Sequence, residues 1–357
     1  MQNYSMSIPV EKTSKPKIHP APDQLGFGQF FTDHMFLMEY SEAKGWHNPR
    51  ITPYQPLPID PGACVLHYGQ ALFEGMKAFS QKNDDVVLFR PQYNCQRLIT
   101  GATRLCMQAP PADLMLEGIQ ALVRTDQAWV PKFQGGALYI RPTLIATEAF
   151  LGVRPSKNYL FYVILSPVGS YYKEGLNPIS IWVEEKYIRA APGGLGATKA
   201  GANYASSLLA AQEAKKKGCA QVLWLDVTHE HIEEVGTMNV FFKIDDQILT
   251  PSLNGSILAG GTRDSVIQVL KSWNLPVIER RLSLAEILEA HSQGRLQEAF
   301  GTGTAAVISP IGEFQYRDRA LIVNGRAIGP LAQKLYKEFT DLQYGEKPDT
   351  RQWLMKI

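Results

Sequence analysis

A glycine-rich loop that leads into a helix constrains this chain more than any other stretch. Gly193 to Tyr204 reads Gly-Gly-Leu-Gly-Ala-Thr-Lys-Ala-Gly-Ala-Asn-Tyr, so a single lysine, Lys199, lies among glycines and alanines. Small residues allow a planar ligand to lie against the backbone, and a lysine without a carboxylate near it in sequence can be desolvated to the neutral amine. Schiff-base chemistry requires that amine. A solvated lysine on a surface turn also fits this stretch when it is considered alone.

Length and composition indicate a globular protein with two domains. The chain has 357 residues, which exceeds the usual size of a single hydrophobic core. Hydrophobic residues make up 45% and charged residues 20%, which argues against the disordered, fibrous and coiled-coil classes. Lysines and arginines are dispersed and the net charge is +2, so no nucleic acid partner is expected.

Cysteine usage and the N-terminus favour the cytoplasm. Four cysteines are widely spaced, without a Cys-x-x-Cys pair or the spacing of metal ligands, so we expect reduced thiols and no metal site. Residues 1–20 are polar and interrupted by prolines, unlike a signal peptide. No stretch is apolar for long enough to span a bilayer, so no membrane association is expected.

The order of apolar and polar segments predicts a mixed α/β (α+β) protein. We expect a small N-terminal α/β domain over residues 1–168 that begins with a loose arm at 1–20, an interdomain loop at 169–178, and a large C-terminal domain over 179–357. Predicted strands include Val86 to Phe89, Ala137 to Ala146, Tyr159 to Leu165, Ile179 to Glu184 and Gln221 to Leu225. Predicted helices include Asn94 to Met107, Ala112 to Thr125, Asn203 to Lys217 and Pro330 to Phe339.

Three further features point to anion binding. Arg141 lies inside the apolar strand Ala137 to Ala146, where a buried guanidinium is costly unless it meets an anion or a structural ion pair. Gly260-Gly261-Thr262 feeds a helix N-terminus, which is either a phosphate cradle or a simple helix cap. The turn Gly301 to Ala305 presents amides and threonine hydroxyls suited to a carboxylate.

Glu234 lies just before a glycine turn. Considered by itself, it would be a solvated carboxylate.

Together these motifs resemble the fold-type IV pyridoxal-phosphate transaminases and, within them, the branched-chain amino acid aminotransferases. The resemblance runs from about Phe27 to the C-terminus. Its most specific stretches are His67 to Phe79, Tyr139 to Pro142, Ala197 to Tyr204, Glu234 to Asn239 and Gly301 to Ala305. It implies a two-domain fold with pyridoxal 5′-phosphate at the domain interface, and a cytoplasmic homodimer that transfers the amino group of leucine, isoleucine or valine to 2-oxoglutarate.

The resemblance also implies roles for individual residues on the cofactor side. Lys199 matches the lysine that forms the Schiff base and then moves the proton. Glu234 matches the carboxylate that faces the pyridine nitrogen. The other expected cofactor-binding residues are Arg97, Tyr204, Thr237, Gly261, Thr262 and Thr304.

On the substrate side, the resemblance implies one pocket for two kinds of side chain. Arg141, beside tyrosine hydroxyls, would pair with the γ-carboxylate of glutamate without obstructing aliphatic groups. Val153 matches a residue that the partner subunit contributes. The other expected substrate-binding residues are Tyr68, Phe73, Tyr139, Tyr171, Thr304 and Ala305. The mammalian relatives carry a redox Cys-x-x-Cys after this turn, whereas this chain has Ala306 and Ser309, so thiol control there is not expected.

Some alternatives stay open at this stage. A D-amino-acid transaminase or an aminodeoxychorismate lyase would share the cofactor residues, and a non-catalytic pyridoxal-phosphate-binding protein would keep part of them. A nucleotide-binding dehydrogenase is disfavoured because no Gly-x-Gly-x-x-Gly follows a first strand. The sequence does not rank leucine, isoleucine and valine, because one methyl group changes discrimination by only about 1–3 kcal/mol. It does not distinguish biosynthesis from breakdown either.

Overall fold

The computed structural model describes residues 8–169 and 176–357, which form two compact units. The first unit contains residues 8–169, 198–201 and 341–357, and the second contains 176–197 and 202–340. The short segment around Lys199 is therefore grouped with the first unit, although both its neighbours in sequence belong to the second. The expected domain limits at 168 and 179 remain a prediction.

The first unit contains eight strands in the described residues: β1 His34–Ser41, β2 Gly45–Pro53, β3 Ala71–Phe73, β4 Met76–Ser80, β5 Val86–Phe89, β6 Ala137–Ala146, β7 Asn158–Val168 and β17 Leu354–Lys356. They form an antiparallel sheet in the order β17-β5-β4-β6-β7-β1-β2, with β3 paired to β6. Its helices are α1 Cys64–Tyr68, α2 Pro91–Arg104 and α3 Ala112–Thr125. Short 3-10 helices lie at Pro22–Gln24 and Gln127–Trp129.

The second unit contains nine described strands: β8 Ile179–Val183, β9 Gln221–Leu225, β10 Ile232–Val235, β11 Asn239–Ile244, β12 Gln247–Pro251, β13 Val277–Arg280, β14 Leu296–Gly303, β15 Val307–Tyr316 and β16 Arg319–Ile322. They form a mixed sheet in the order β10-β9-β8-β15-β14-β11-β12-β13, with β16 paired to β15. Its helices are α4 Gly201–Ser206, α5 Leu208–Lys216, α6 Gly261–Ser272, α7 Leu284–Ser292 and α8 Pro330–Gln343. Gly201 and the last residues of α8 are grouped with the first unit. A 3-10 turn lies at Asn324–Arg326.

The strongly periodic segments fold as their sequences predict. The predicted limits of β5, β6, β9 and α3 agree with the structure at both ends. In α3, Leu114, Met115, Ile119, Leu122 and Val123 form one buried stripe at helical spacing. The mixed α+β, two-unit fold is therefore confirmed.

The predicted single helix from Asn203 to Lys217 is wrong, because the chain forms α4 and α5 with a break at Ser207. The Ser206 hydroxyl donates to the carbonyl of Asn203 at 2.9 Å, and the Ser207 hydroxyl donates to the carbonyl of Tyr204 at 2.8 Å. Such local side-chain bonds compete with the backbone ladder of a helix.

No helix of residues 8–169 and 176–357 combines the length and the apolar character that crossing a bilayer would require. The four cysteines all lie in these ranges and are free thiols; Cys64, Cys95 and Cys219 are buried and Cys106 is exposed.

Replacing Gly118 of α3 tests the packing of the first unit. A Cβ atom at this position would meet the buried Phe36 ring at 2.6 Å, so Gly118→Ala is expected to reduce the free energy of unfolding by about 1–3 kcal/mol through overpacking. Urea denaturation measures this change. Gly201→Ala is the matched control, since nothing lies within 4 Å of its Cβ position. Equal stability of both variants would contradict this account of the core.

Candidate active site

Backbone contacts attach the Lys199 segment to β3. The amide of Phe73 donates to the carbonyl of Lys199 at 3.2 Å, and Leu72 forms an isolated antiparallel bridge with Ala200. On the side of α2, Gly101 leaves room for the buried Thr198, whose methyl carbon would lie 3.3 Å from a Cβ at that glycine. These contacts fix the backbone from which the Lys199 side chain extends.

The amine of Lys199 is tuned toward its neutral form. Burial is the largest cause, the positive charge of Arg97 adds to it, and together they lower the pKa of Lys199 to about 8 despite the opposing charge of Glu74. The nitrogen Nζ lies 4.8 Å from the centre of the Phe73 ring. The sequence-based expectation of a desolvated lysine agrees with this arrangement.

A buried ion pair lies beside Lys199. Glu74, which is 1% exposed, accepts hydrogen bonds from Nε and Nη2 of Arg97, both at 2.7 Å, and from the side-chain amide of Asn94 at 2.8 Å. Burial by itself would raise the pKa of Glu74, but the charge and hydrogen bonds of Arg97 outweigh it and hold the pKa below its usual value. The pair presents a fixed, charged guanidinium close to the amine.

Sequence reasoning missed Glu74. Its only local signal was a carboxylate next to a glycine at the end of an aromatic strand, and its partner Arg97 lies 23 residues away on α2.

A second cationic group lies on β6 among aromatic side chains. Nη2 of Arg141 donates to the hydroxyl of Tyr139 at 3.0 Å, and the guanidinium lies 4.6 Å from the centre of the Phe73 ring. Its Nε is buried and has no hydrogen-bond partner among the residues described. Gly75 is required here, because a Cβ at that position would collide with the Tyr139 hydroxyl.

Another buried lysine lies on the neighbouring strand. Lys77 of β4 is 7% exposed and pairs in register with Tyr139 of β6, so both side chains share one face of the sheet. Burial lowers the pKa of Lys77 to about 8. Sequence reasoning gave Lys77 no role.

In the second unit, Glu234 of β10 is surrounded by donors. Its Oε1 accepts from the backbone amide of Leu258 at 2.9 Å and from the side chain of Asn239 at 3.5 Å. Its Oε2 lies 3.3 Å from Nε of Arg189, which is an ion-pair distance without the alignment of a hydrogen bond. Glu234 is 4% exposed, so the solvated carboxylate that the isolated motif suggested is not found. Sequence reasoning missed Arg189.

The glycines before α6 belong to the same neighbourhood. Gly260 is the N-cap of this helix, and a Cβ there would collide with Oδ1 of Asn239. The side-chain amide of Asn239 also donates to the carbonyl of Leu258 at 2.9 Å. The partly exposed Gly261 and Thr262 form the first turn of the helix, where the amides and the helix dipole favour an anion.

Thr304 and Ala305 lie in the three-residue turn between β14 and β15, and both are partly exposed. Gly303 and Val307 pair across its base. Val307 has φ of 63°, a left-handed conformation that is unusual for a β-branched residue. The pairing of the two strands therefore holds the turn in a strained shape.

The remaining predicted residues are dispersed. Tyr204 lies on α4 and is partly exposed, and Thr237 is exposed in the turn between β10 and β11. Tyr68 and Val153 are 43% and 85% exposed on the surface of the first unit. Tyr171 lies outside the described residues.

Comparison with known proteins identifies the family. The family model described as amino-transferase class IV matches residues 71–314. This chain belongs to the class IV aminotransferases. It is therefore an aminotransferase, and the pyridoxal 5′-phosphate of this family is its cofactor, as the sequence predicted.

Two curated relatives from Bacillus subtilis (strain 168) match almost the whole aminotransferase. It is 53% identical to branched-chain-amino-acid aminotransferase 2, covering 98% of this chain and 97% of that protein. It is 48% identical to branched-chain-amino-acid transaminase 1, and the match covers 98% of this chain and 99% of that protein.

Among solved structures, it is similar to the branched-chain amino acid aminotransferase of Escherichia coli, with a TM-score of 0.75 and 28% identity over 89% of this chain and 98% of that one. It is also similar to a second branched-chain amino acid aminotransferase, from T.th., solved with pyridoxamine 5′-phosphate. In that comparison the TM-score is 0.74 and the identity 25%, over 89% of this chain and 97% of that one.

Replacing the buried carboxylate of Glu74 tests its interactions with Arg97 and Lys199. Glu74→Gln removes the negative charge that raises the pKa of Lys199, so this pKa is expected to fall further below about 8. The variant is also expected to lose about 3–5 kcal/mol of stability, because the Arg97 charge stays buried without its counter-charge.

NMR titration of the lysine Cε resonances in cofactor-free protein measures the first effect, and urea denaturation measures the second. Lys77 is the internal reference, because burial lowers its pKa. Equal shifts of both lysines, or none, would contradict the assigned coupling between Glu74 and Lys199.

Proposed function

We propose that this aminotransferase transfers the amino group of leucine, isoleucine or valine to 2-oxoglutarate, reversibly. The observation that carries the proposal is the environment of Arg141: a guanidinium fixed by the Tyr139 hydroxyl, covered by the Phe73 ring, and with Nε buried without a partner among the described residues. An aromatic wall accommodates an aliphatic side chain, while the guanidinium pairs with the second carboxylate of glutamate. The names of the two Bacillus subtilis relatives agree with this substrate class.

The residues present fit pyridoxal 5′-phosphate. An amine with a pKa of about 8 suits a carbonyl group, and the helix start at Gly261 and Thr262 offers amides to a phosphate. Glu234, buried among donors, suits a cationic ring nitrogen. The expected cofactor-binding set is Lys199, Arg97, Tyr204, Glu234, Thr237, Gly261, Thr262 and Thr304.

Bound pyridoxal phosphate supplies the electron-withdrawing ring that makes the Cα proton of an amino acid removable. Lys199 takes and returns this proton, and a pKa of about 8 allows the amine to act in both directions near that pH. Arg97 is held in place by Glu74, so it offers its charge to the phosphate without having to be ordered on binding. The turn at Thr304 and Ala305 presents its amides to the α-carboxylate of the substrate.

The absorption spectrum of the reconstituted protein during addition of L-leucine tests this proposal. The visible band of the bound cofactor is expected to disappear with L-leucine and to return with 2-oxoglutarate, whereas Lys199→Ala shows neither change. Isoleucine and valine are expected to act like leucine.

A band that responds only to D-alanine would point to a D-amino-acid transaminase, and a band unmoved by any amino acid would point to a non-catalytic binding protein. Arg141→Met is the control for specificity, because it is expected to weaken the response to 2-oxoglutarate by about 10- to 100-fold while the response to leucine persists.

The protein is further proposed to be a homodimer. Five large apolar residues on α1 and the loop after β6 are exposed: Leu66, Tyr68, Phe150, Leu151 and Val153. We call this set the apolar patch. The two segments are joined by a bridge between Ala63 and Ala149 and by a bond from the Tyr68 hydroxyl to the carbonyl of Leu151. A contiguous apolar surface of this kind is typical of an interface, and Val153 is the residue expected to reach the partner's substrate pocket.

Placing a charge in the apolar patch tests the dimer. Val153→Asp is expected to shift the protein from dimer to monomer in analytical ultracentrifugation, because the carboxylate would be buried without a partner. Lys157→Asp, at the exposed residue just before β7, is the control and is expected to remain dimeric. A monomeric wild-type protein would contradict the proposal. The cytoplasm remains the predicted location.

A further inference from the structure

A second acidic residue adjoins Glu234 and has no role in the proposed function. Glu233 is the residue before it on β10 and is 1% exposed. Ile232 pairs with Leu225 and Glu234 with Trp224, so one extra residue is inserted at Glu233 and the strand contains a β-bulge. A bulge re-aims side chains, and here two successive glutamates are both buried.

The hydrogen-bond geometry around Ser256 indicates whether the Glu233 side chain carries a proton. The backbone amide of Ser256 donates to Oδ1 of Asn254 at 3.0 Å, which establishes this oxygen as an acceptor. The Ser256 hydroxyl lies 2.7 Å from the same Oδ1 and also in contact with Oε1 of Glu233. A hydroxyl has one proton, so it cannot donate to both oxygens. The second contact needs a proton from the Glu233 carboxyl group.

The other oxygen of Glu233 leads to the same conclusion. Oε2 is buried and has no hydrogen-bond partner among the residues described. An ionised carboxylate oxygen in that position would be strongly unfavourable, whereas the carbonyl oxygen of a neutral acid costs less.

Ser256 connects Glu233 to the neighbouring glutamate. Its carbonyl accepts a hydrogen bond from Nη2 of Arg189, and Nε of the same arginine lies 3.3 Å from Oε2 of Glu234. Gly196 allows this arrangement, because a Cβ there would collide with the Ser256 carbonyl. Arg189 therefore bridges the serine and the Glu234 carboxylate.

We infer that Glu233 is held as a neutral carboxylic acid and is a positioning residue, which fixes Ser256 and through it holds Arg189 against the Glu234 carboxylate. Only one of the two adjacent glutamates then carries charge, so the single positive charge of Arg189 is opposed by Glu234 alone. The role toward the cofactor nitrogen rests on the proposed function; the protonation of Glu233 does not.

The charged groups around Glu233 agree with this assignment. Burial is the largest influence and raises the pKa of Glu233, and the charge of Asp226 adds to it; these outweigh the charge of Arg189 and the hydrogen bonds that Ser256 and Asn254 would donate to an ionised carboxylate, all of which lower the pKa. Glu234 is the adjacent acidic residue on the same strand.

Infrared spectroscopy of protein with 13C-labelled glutamate measures the protonation directly. At neutral pH, the wild type is expected to show the C=O stretch of a protonated acid, which Glu233→Gln loses and the matched variant Glu234→Gln keeps. The spectra are recorded on both cofactor-free and reconstituted protein. A band that persists in Glu233→Gln, or that disappears in Glu234→Gln instead, would overturn the inference.

The pH dependence of the melting temperature is an independent test. The pKa of Glu233 is raised in the folded protein, so the unfolded chain releases this proton first, and the contribution of Glu233 to stability falls as the pH rises above about 4.3. Glutamine does not titrate. Glu233→Gln is therefore expected to match the wild type at low pH and to become progressively more stable than it as the pH rises, and a constant difference would contradict a neutral Glu233.

Cofactor affinity tests the positioning role. Glu233→Gln keeps a neutral donor for Ser256 and is expected to bind pyridoxal phosphate like the wild type, whereas Arg189→Gln is expected to bind it about 10- to 100-fold more weakly. Equal loss in both variants would show that Glu233 acts as a charge. Absence of transamination would remove the proposed function but leave the infrared and melting results unchanged.

Discussion

The buried ion pair between Glu74 and Arg97 is the interaction on which the candidate site residues of the first unit depend. Taking either charge out of water alone would be unfavourable, and the two-fold hydrogen bond between them compensates for that cost. Burial is the main cause of the lowered pKa of Lys199, and the pair modifies it, since Arg97 lowers the pKa of the amine further and Glu74 raises it. One pair thus fixes the orientation of an arginine and contributes to the protonation of the neighbouring lysine.

In the second unit, different groups stabilise a buried carboxylate. Glu234 is stabilised by a backbone amide, an asparagine and an arginine rather than by one two-fold partner. The glycines of this unit allow that packing: Gly260 admits Asn239, and Gly196 admits the Ser256 carbonyl. The glycine-rich loop before Lys199 therefore allows close backbone packing.

The sequence predicted those features of the fold that a local pattern of residues determines. The apolar run of β6 and the helical stripe of α3 were predicted with correct limits. Lys199 was selected for the small residues around it and Arg141 for the apolar strand that contains it, whereas Glu234 gained a role only through the family resemblance. Partners distant in sequence carried no such signal. Glu74 is 23 residues from Arg97, and Arg189 is 45 residues before Glu234, so only the fold brings each pair together. The break between α4 and α5 was missed because two serines bond to their own backbone.

Lys77 and Lys199 have a joint consequence for the proton content of the first unit. Both amines have a pKa of about 8, so each is half protonated at that pH. In the cofactor-free protein, raising the pH from about one unit below this value to about one unit above it then removes most of two elementary positive charges from the interior of the unit. The interior of the first unit is in this sense a proton buffer, and a titration curve recorded from it near pH 8 is the sum of two amines rather than the signature of one.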